Sequence, residues 1–477
     1  MGLKKNVLYS SLLTLSTYLV PLIVFPYISR VLGADGLGII DNVDYTIDYC
    51  ILLSMLGMNL LGIREIAKNR ANPSKLQKVF SNLFTLNIVT TFIVLCVLSV
   101  LVFTIPQWHE RWQVFCLGAS KIVFNLFWIE WFFKGIENFK YITLRTIFIR
   151  LAFVISVFIF VRTKEDYLKY YILWLSITAG NAISNWTYRR RFVRLSFKNL
   201  ELGNYLKPFV MLGLVAICSA VYTKLNVTIL GFFADDSQVG YYTAAMRLYQ
   251  VLIAMFSSIT GVMLPRMSSL LANNDMDSVK NLTDKVFGFL FLFAIPIVVY
   301  LEFFAPEFFL LFTGSGYEGA VLPLRIVIFQ LLIIGTEQIF ILQLLIPGGY
   351  DMKALLCTIT GASICILCNL LFTKELGAVG SSIAWIAAES AVMLIACGYV
   401  KKYFDIAFPF KTLLLFIVYS IPYAIFATAI LILSENMWIR LGVSAVLFAV
   451  WAVILEEKIF KINLFADFRA LLGKRKR

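Results

Sequence analysis

Apolar residues fill long stretches of this chain, and short polar segments separate them. A helix needs about 20 mostly apolar residues to cross the hydrocarbon core of a bilayer. The pattern predicts fourteen such spans, with bounds at residues 8–32, 38–63, 80–104, 112–134, 141–162, 167–188, 208–231, 240–265, 286–312, 321–346, 354–372, 378–400, 411–433 and 437–457. We therefore predict an all-α polytopic membrane protein.

The overall composition agrees with this pattern and excludes an ordinary soluble domain. Of the 477 residues, 60% are hydrophobic and 15% are charged, and the mean hydropathy is +0.84. The chain lacks the sequence Gly-x4-Gly-Lys-Ser/Thr, which excludes nucleotide hydrolysis by the P-loop route. It also lacks the long outer loop and the acidic motif that membrane-bound glycan polymerases or ligases need, so we predict that it is not an enzyme.

The distribution of basic residues predicts the orientation of the chain in the membrane. With the N-terminus inside, most of the 42 Lys and Arg residues fall in cytoplasmic segments, including Arg189–Arg191 and the tail Lys474–Arg477. An even number of spans then places both termini in the cytoplasm. Topology thus explains the net charge of +14, and no soluble module exists that would bind nucleic acid.

Two segments of the chain share the same spacing of glycine and arginine, which predicts an internal repeat. Gly38 precedes Arg64 by 26 residues, and Gly240 precedes Arg266 by 26 residues. Each pair brackets one apolar span. In duplicated transporters the substrate site lies at the interface of the two halves, so we expect the same arrangement in this chain.

A second pair of matching turns, 134–140 and 347–353, follows in the same order along the chain. A duplication of six spans gives two bundles with the same orientation, related by a pseudo-twofold axis along the membrane normal. The predicted domains are an N-terminal six-helix bundle at residues 1–190, a basic cytoplasmic linker at 191–207, a C-terminal six-helix bundle at 208–402, and helices 13 and 14 with a basic cytoplasmic tail at 403–477.

Charged side chains inside the predicted spans are expected to have a partner or a function, because each adds about 2.5–3.5 kcal/mol to the free energy of membrane insertion. Span 2 carries Asp41, Asp44 and Asp48, whose spacing places them on one helix face. Span 7 carries Lys224, and span 8 carries Arg247. A rise of about 1.5 Å per residue puts Asp44, Lys224 and Arg247 at a similar depth, roughly 10 Å below the outer helix ends.

Three short segments carry motifs of a known family. Pro21–Gly33 reads Pro-x4-Pro-Tyr-x2-Arg-x-Leu-Gly, Gly62–Glu65 reads Gly-x-Arg-Glu, and Gly135–Lys140 reads Gly-Ile-Glu-x2-Lys. Together with the span count and the duplication, these motifs resemble the Wzx-type polysaccharide flippases of the multidrug/oligosaccharidyl-lipid/polysaccharide exporter superfamily. The resemblance covers the whole chain at the level of span count and duplication.

The resemblance implies a flippase for polyprenyl (undecaprenyl) pyrophosphate-linked oligosaccharide repeat units, which moves them from the cytoplasmic to the outer leaflet by alternating access. The units would serve the synthesis of O-antigen, capsule or exopolysaccharide. It implies a multi-pass protein of the bacterial cytoplasmic (inner) membrane, with membrane lipids, a polysaccharide polymerase and chain-length machinery as partners. No cofactor is expected, and the choice of coupling ion, H⁺ or Na⁺, stays open.

In such a flippase the intramembrane cations are candidates for binding pyrophosphate, because the arginine fork makes paired hydrogen bonds to phosphate oxygens. The candidate substrate-binding residues are Lys224, Arg247, Arg30, Lys121, Arg150, Gln250 and Tyr249. The candidates for gating or ion coupling are Asp41, Asp44, Asp48, Glu337 and Glu389. The alternative is that these charges form salt bridges that only hold helices together, as we predict for Glu130 and Arg145.

Two other functions of the same superfamily stay open. A lipid II flippase would share the duplicated bundles and the cationic cavity. A multidrug or organic-cation antiporter would need an acidic cavity, which the aspartate face of span 2 favours and the intramembrane cations disfavour. No metal site is expected, because the only histidine, His109, lacks partners in ligand spacing and the eight cysteines lie in apolar spans.

Overall fold

The fold is taken from a computed structural model, which describes the backbone of residues 3–198 and 200–454. These residues form helices joined by short turns, and they contain no β-strand. The helices are α1 (Leu3–Met55), α2 (Met58–Asn69), α3 (Pro73–Thr104), α4 (Pro106–His109), α5 (Trp112–Phe127), α6 (Glu130–Gly135), α7 (Phe139–Phe160), α8 (Tyr167–Tyr188), α9 (Gly203–Phe233), α10 (Asp236–Ala272), α11 (Met276–Thr313), α12 (Val321–Ile328), α13 (Gln330–Glu337), α14 (Asp351–Leu376), α15 (Ala378–Phe404), α16 (Phe410–Leu433) and α17 (Met437–Ile454).

Each predicted span falls on one of these helices or on a run of consecutive helices. Nine helical segments of the described chain are long and apolar enough to cross a membrane, and one of them, Leu19–Asn69, covers the second predicted span and about half of the first. Many large apolar side chains on these helices are exposed, among them Phe103, Phe148 and Leu433. Such surfaces fit contact with lipid, so the predicted all-α polytopic membrane fold is confirmed.

A turn at Gly33 separates two helical runs inside α1, at the point where the first two spans were predicted to meet. The φ angle of Gly33 is 71°, in the left-handed region that glycine adopts without the steric cost of a Cβ. Residues 34–38, which follow Gly33, already belong to the second helical run. The predicted break between spans 1 and 2 is therefore present.

Four predicted spans are not continuous α-helices, among them span 9, in which Phe304 has non-helical backbone angles inside α11. Span 2 breaks at Leu56, whose φ is 39°, so its last residues lie in α2. Span 4 breaks before α6, where Ile129 has a φ of 21°. Span 10 is divided into α12, α13 and a π-helix at Gln338–Leu345. Hydropathy does not reveal these breaks, because Leu56 and Ile129 are as apolar as their neighbours.

The chain divides into two compact units, Met1–Gly240 and Tyr241–Arg477. In the first unit, a core of aromatic and aliphatic side chains joins α2, α3, α6, α7 and α9. In the second unit, α14 packs along α15, and α11 packs against α12, α13, α16 and α17. The helices predicted as 13 and 14 are α16 and α17, so they belong to the second unit. The predicted domain boundaries at 190, 207 and 402 stay predictions.

Two helical turns of the first unit pack closely against each other: residues 34–38 of α1 and residues 236–240 at the start of α10. Each contains one glycine of the predicted repeat. A Cβ at Gly38 would lie 1.8 Å from the carbonyl oxygen of Asp236, and a Cβ at Gly240 would lie 2.2 Å from that of Ala34. The contact is reciprocal, because Ala34 and Asp236 each lie four residues before the glycine of their own turn. No side chain larger than hydrogen fits at either glycine without moving the opposite backbone.

Candidate functional site

A buried ion cluster lies in the first unit, where α1, α5 and α8 pack together. Nζ of Lys121 on α5 lies 2.7 Å from Oδ1 of Asp44 and 2.8 Å from Oδ1 of Asp48, both on α1. The Lys121 and Asp44 side chains are only 10% and 14% exposed. Because Asp44 and Asp48 are one helical turn apart, a single ammonium group bridges both carboxylates. The cation predicted to bind substrate is thus held by two of the predicted gating residues.

Helix α8 supplies further hydrogen bonds to the same carboxylate. The Tyr171 hydroxyl donates to Oδ1 of Asp44 at 3.2 Å, and Nε1 of Trp174 donates to Oδ2 at 3.1 Å. With Lys121, three donors replace the water that Asp44 would have outside the membrane. Asp44, Asp48, Lys121, Tyr171 and Trp174 form the aspartate cluster.

Gly118 on α5 allows the close helix packing that the aspartate cluster needs. A Cβ at Gly118 would lie 2.5 Å from the side chain of Ile47 on α1 and 2.9 Å from the hydroxyl of Tyr171 on α8. Lys121 follows Gly118 by about one turn, so its side chain projects from the same part of α5. The small residue therefore brings the lysine within ion-pair distance of α1.

Arg150 on α7 is bound to α1 by neutral groups. Its guanidinium donates to Oγ1 of Thr17 at 3.1 Å, to the carbonyl oxygen of Leu13 at 3.4 Å, and to the hydroxyl of Ser16. Among the residues that the structure describes, no carboxylate pairs with Arg150. Its guanidinium therefore has no ion-pair partner at contact distance among the described residues, although the Glu130 carboxylate is near enough to attract its charge.

The predicted pair of Glu130 and Arg145 is confirmed, with Nη2 of Arg145 3.7 Å from Oε2 of Glu130. Glu130 also pairs with Lys134 at 2.8 Å and accepts a hydrogen bond from Nε1 of Trp128 at 3.1 Å. The Arg145 guanidinium donates to Asn185 on α8. This network lies at the break between α5 and α6 and joins α6, α7 and α8.

The structure places the remaining predicted residues of spans 1, 2, 7 and 8 in different environments. Asp41 is buried, Arg30 and Gln250 are exposed, and Arg247 is half-buried. The side chain of Lys224 lies outside the described part of the chain. The substrate-binding and gating roles of these residues stay predictions.

A pair of buried glutamates lies in the second unit. Glu337 on α13 and Glu389 on α15 are 9% and 2% exposed, and their carboxyl groups lie close enough to interact electrostatically. Nε1 of Trp385 donates to Oε1 of Glu389 at 3.0 Å. The ring of Tyr249 on α10 packs edge-on against Trp385, with centroids 5.2 Å apart. Glu337 and Glu389 form the glutamate pair.

The glutamate pair leaves two buried polar atoms open. Oε1 of Glu337 and the hydroxyl of Tyr249 have no hydrogen-bond partner among the described residues. Two buried carboxyl groups that lie close together are costly to ionise at the same time, which favours a proton on at least one of them. This arrangement is therefore suited to holding a proton, and its open oxygen atoms could also receive a small cation.

Polar side chains of the π-helix continue from the glutamate pair along the same unit. Nε2 of Gln338 donates to the hydroxyl of Ser257 at 2.8 Å, and Oγ1 of Thr260 donates to Oε1 of Gln338 at 3.0 Å. Nε2 of Gln343 donates to the carbonyl oxygen of Thr260 at 3.4 Å. π-Helical segments are frequent at functional sites, and this one begins directly after Glu337.

The sequence analysis missed the aromatic donors that bind the buried carboxylates. Tyr171, Trp174 and Trp385 fall in apolar helices, where an aromatic residue usually indicates packing. Their one usable signal is that a buried phenol or indole normally needs a hydrogen-bond partner. Within residues 3–198 and 200–454, no group of three or more His, Cys, Asp or Glu side chains is placed to hold a metal ion.

Sequence relatives cover most of the chain. It is 26% identical over 424 residues to a protein of Escherichia coli (strain K12) that is assigned by name as an O-antigen transporter, covering 84% of this chain and 97% of the relative. A Shigella dysenteriae protein with the same assignment is 23% identical over 405 residues, covering 84% and 100%. A Haloferax volcanii protein assigned by name as the low-salt glycan biosynthesis flippase Agl15 is 22% identical over 219 residues, or 45% of each chain.

Solved structures share the fold. A lipid II flippase MurJ structure in an inward closed conformation superposes with a TM-score of 0.75 and 14% identity, covering 95% of this chain and 99% of that one. An inward-facing multidrug resistance MATE family transporter gives a TM-score of 0.64 and 13% identity, covering 82% and 94%. At such low identity these likenesses show a common helical membrane transporter fold and nothing finer.

A family comparison then assigns the chain. The sequence profile of a family described as polysaccharide biosynthesis protein matches residues 3–271, which is more than half of the chain. This agrees with the family resemblance that the motifs between Pro21 and Lys140 indicated. The chain belongs to the polysaccharide biosynthesis protein family.

Proposed function

We propose that this protein is a flippase for polyprenyl (undecaprenyl) pyrophosphate-linked oligosaccharide repeat units, which it moves from the cytoplasmic to the outer leaflet by alternating access. The observation that carries the proposal is the match to two proteins assigned by name as O-antigen transporters, along 97% and 100% of their lengths. Residence in the bacterial cytoplasmic membrane and cooperation with a polysaccharide polymerase and chain-length machinery belong to the same proposal.

In this proposal, cationic side chains of the spanning helices bind the pyrophosphate group. Arg150 supports the assignment, because its described hydrogen-bond partners are all neutral. Arg247 is half-buried on α10, where a guanidinium fork can meet two phosphate oxygens.

Lys121 would take part differently, because Asp44 and Asp48 already hold it. A pyrophosphate that approaches Lys121 competes with both carboxylates for one ammonium group. Binding would then weaken the ties between α5 and α1, and release of the substrate would restore them. The ion pairs would thus act as a gate whose two states differ in the partner of Lys121.

The glutamate pair is the proposed coupling site, and its coupling ion is H⁺. Two neighbouring carboxylates inside a membrane protein cannot both be ionised at low cost, so the pair would retain a proton. Tyr249, Cys357 and Trp385 are the other polar or titratable side chains described around the pair. Loss of the shared proton would leave two repelling charges, which favours a rearrangement of α13 against α15.

Leaflet exchange in proteoliposomes tests the proposed function. Purified protein would be reconstituted with a fluorescent polyprenyl-pyrophosphate oligosaccharide, and exchange would be followed with a glycan-modifying enzyme added outside. We expect exchange by the wild type, loss of exchange by Arg247→Ala, and normal exchange by Lys285→Ala, which removes an exposed cation of the same unit. No exchange together with proton- or sodium-driven movement of an organic cation would instead identify a drug antiporter. Exchange confined to lipid II would identify a lipid II flippase.

The same vesicles test the glutamate pair. An imposed pH gradient should accelerate exchange by the wild type, because the pair can load and release a proton. Glu337→Gln cannot release one, so its exchange should no longer respond to the gradient, while Ser363→Ala on the exposed side of α14 should respond as the wild type does. A gradient response that survives Glu337→Gln would exclude the pair as the coupling site.

A further inference from the structure

A basic pocket opens on the side of the first unit that is predicted to be cytoplasmic. Its volume is about 590 Å³, and five basic side chains line it: Lys78, Arg190, Arg191, Arg194 and Lys198. None of its lining residues is Asp or Glu. A cavity of this size with such a lining is suited to an anionic group and hostile to a cation.

The wall of the basic pocket is fixed to α3 by hydrogen bonds. The backbone N–H of Ser196 donates to Oγ of Ser81 at 3.1 Å, and that of Glu201 donates to Oδ1 of Asn82 at 2.6 Å. Ser81 and Asn82 are both buried. The non-helical segment after Arg191 is thereby held over α3, so little ordering remains to be done when a ligand binds.

Not all of the positive charge in the pocket is neutralised by the protein. Lys78 pairs with Glu201 at 2.5 Å, and the Arg191 guanidinium lies 5.2 Å from the centre of the Tyr188 ring. Arg190, Arg194 and Lys198 have no carboxylate partner in the described part of the chain, and all three are exposed. These three cations are therefore available to an anionic ligand.

Exposed aromatic side chains accompany these cations. Phe192 lines the pocket and is 39% exposed, and Phe197 on the same segment is 61% exposed. Large apolar side chains that alternate with Lys and Arg are typical of a segment at the membrane–water interface, where the rings enter the headgroup region. A soluble anion would give these two rings no apolar environment, whereas a lipid supplies one beside its phosphate.

We propose that the basic pocket binds the phosphate group of an anionic lipid of the cytoplasmic leaflet. Arg190, Arg194 and Lys198 contact the phosphate oxygens, and Phe192 and Phe197 contact the glycerol and upper acyl region. The arginine forks favour phosphate because they donate two hydrogen bonds in one plane. This site is separate from the transport residues, and the proposal holds whatever substrate the protein moves.

Native mass spectrometry of the full-length protein tests the proposal, with phosphatidylglycerol as the anionic probe and phosphatidylcholine as the zwitterionic one. We expect the wild type to retain phosphatidylglycerol preferentially. The variant Arg190→Gln/Arg194→Gln/Lys198→Gln should bind it more than tenfold more weakly, because each basic residue contributes about 1 kcal/mol near an anionic headgroup. The matched variant Lys140→Gln/Lys207→Gln/Lys285→Gln removes three exposed cations outside the pocket and should bind like the wild type.

Three results would overturn the assignment. Equal retention of both lipids, or of phosphatidylglycerol by both triple variants, would mean that the pocket does not select an anionic lipid. Binding of inorganic phosphate or pyrophosphate alone, with the same loss in the pocket variant, would identify a soluble anion as the ligand. If the triple pocket variant does not fold, Arg194→Gln decides instead, with an expected loss of about fivefold, and unchanged binding by that variant would equally refute the proposal.

Discussion

At the scale of the residue, the aspartate cluster brings two carboxylates, one ammonium group and two aromatic hydrogen-bond donors together. Asp44 and Asp48 face one cation, Lys121, and Asp44 receives two additional hydrogen bonds from aromatic donors. The cost of placing carboxylates among membrane-spanning helices is thus offset by named partners. Removal of one partner should therefore lower the stability of the protein, and this effect can be measured for one residue at a time.

Lys121→Met should destabilise the protein by about 3–5 kcal/mol, because it leaves two buried carboxylates without their cation. Thermal unfolding of the purified variant in detergent measures the effect. Lys121→Met combined with Asp44→Asn and Asp48→Asn should recover most of the loss, since no uncompensated charge remains. Lys285→Met serves as the surface control. An unfolding temperature of Lys121→Met equal to that of the wild type would show that the ion pairs do not stabilise the fold.

At the scale of the element, a capping box of Thr163 and Asp166 fixes the 3₁₀ turn Lys164–Asp166, which leads directly into α8 and lies outside the predicted span. Lys169 lies 2.7 Å from Asp166, and the backbone N–H groups of Arg162 and Thr163 both donate to Oδ2 of Asp166 at 2.9 Å. The hydrogen bond from Lys169, followed by those from the backbone, holds the pKa of Asp166 below its usual range. A carboxyl group with a lowered pKa stabilises the folded state only while it is ionised.

Asp166→Asn should therefore lower the unfolding temperature at pH 7, and the difference from the wild type should shrink in acid. The contribution of Asp166 is fully present above its unfolded pKa of about 3.9 and is lost as the pH falls towards its lower folded pKa. Thermal unfolding between pH 7 and pH 3 measures this difference. A gap between the two proteins that stays constant down to pH 3 would contradict the assigned role. Asp351→Asn, at the start of α14, is a control without these backbone bonds.

Gly38→Ala should separate the two turns that contact each other in the first unit, because its Cβ would overlap the backbone of Asp236. We expect a lower unfolding temperature and faster reaction of a cysteine introduced at Ala34 with a membrane-impermeant thiol reagent. Gly398→Ala is the matched control, since a Cβ at that helical glycine meets no atom within 4 Å. Equal labelling and stability in the two variants would mean that the turns tolerate a side chain between them.

The sequence predicted the positions of the helices better than it predicted the side-chain contacts between them. Hydropathy located the helices, yet it missed the breaks at Leu56 and Ile129, because apolar residues also take positive φ when the surrounding packing requires it. The aspartate face of span 2 was predicted from its periodicity. Its pairing with Lys121 could not be, because that contact depends on how closely α5 approaches α1 at Gly118. Glu337 and Glu389 were both named as candidates, but spacing gave no indication that the two carboxyl groups lie near each other.

At the scale of the whole molecule, the asymmetry of basic residues is the basis for the predicted orientation. The basic pocket and the free cations around it belong to the side predicted to face the cytoplasm, and many apolar side chains of the helices between the two ends are exposed. Basic residues are retained on the cytoplasmic side of membrane proteins during insertion. The side on which the termini lie therefore decides which leaflet the basic pocket serves.

A protease-cleavable tag at the C-terminus should be cut in inverted inner-membrane vesicles and protected in intact spheroplasts. This result is expected because an even number of spans returns the chain to the side of its N-terminus, and the basic tail is retained in the cytoplasm. Immunoblotting after protease treatment provides the measurement, with a tag of known periplasmic location as the control. Cleavage in spheroplasts would require an odd number of spans or an inverted chain.

The reciprocal contact of the two glycine turns also constrains how this gene can change. After a duplication, the two copies are free to diverge wherever each can accept a substitution alone. Gly38 and Gly240 cannot accept a substitution alone, because a side chain at either position would overlap the backbone of the other turn. Backbone atoms are the same in every residue, so no substitution in that turn makes them smaller. A second mutation in the opposite turn does not relieve the clash, so no short mutational path leads away from glycine. In a library of all single and paired substitutions, these two positions should therefore lack compensating partners, even where the surrounding residues of the two turns have become unlike.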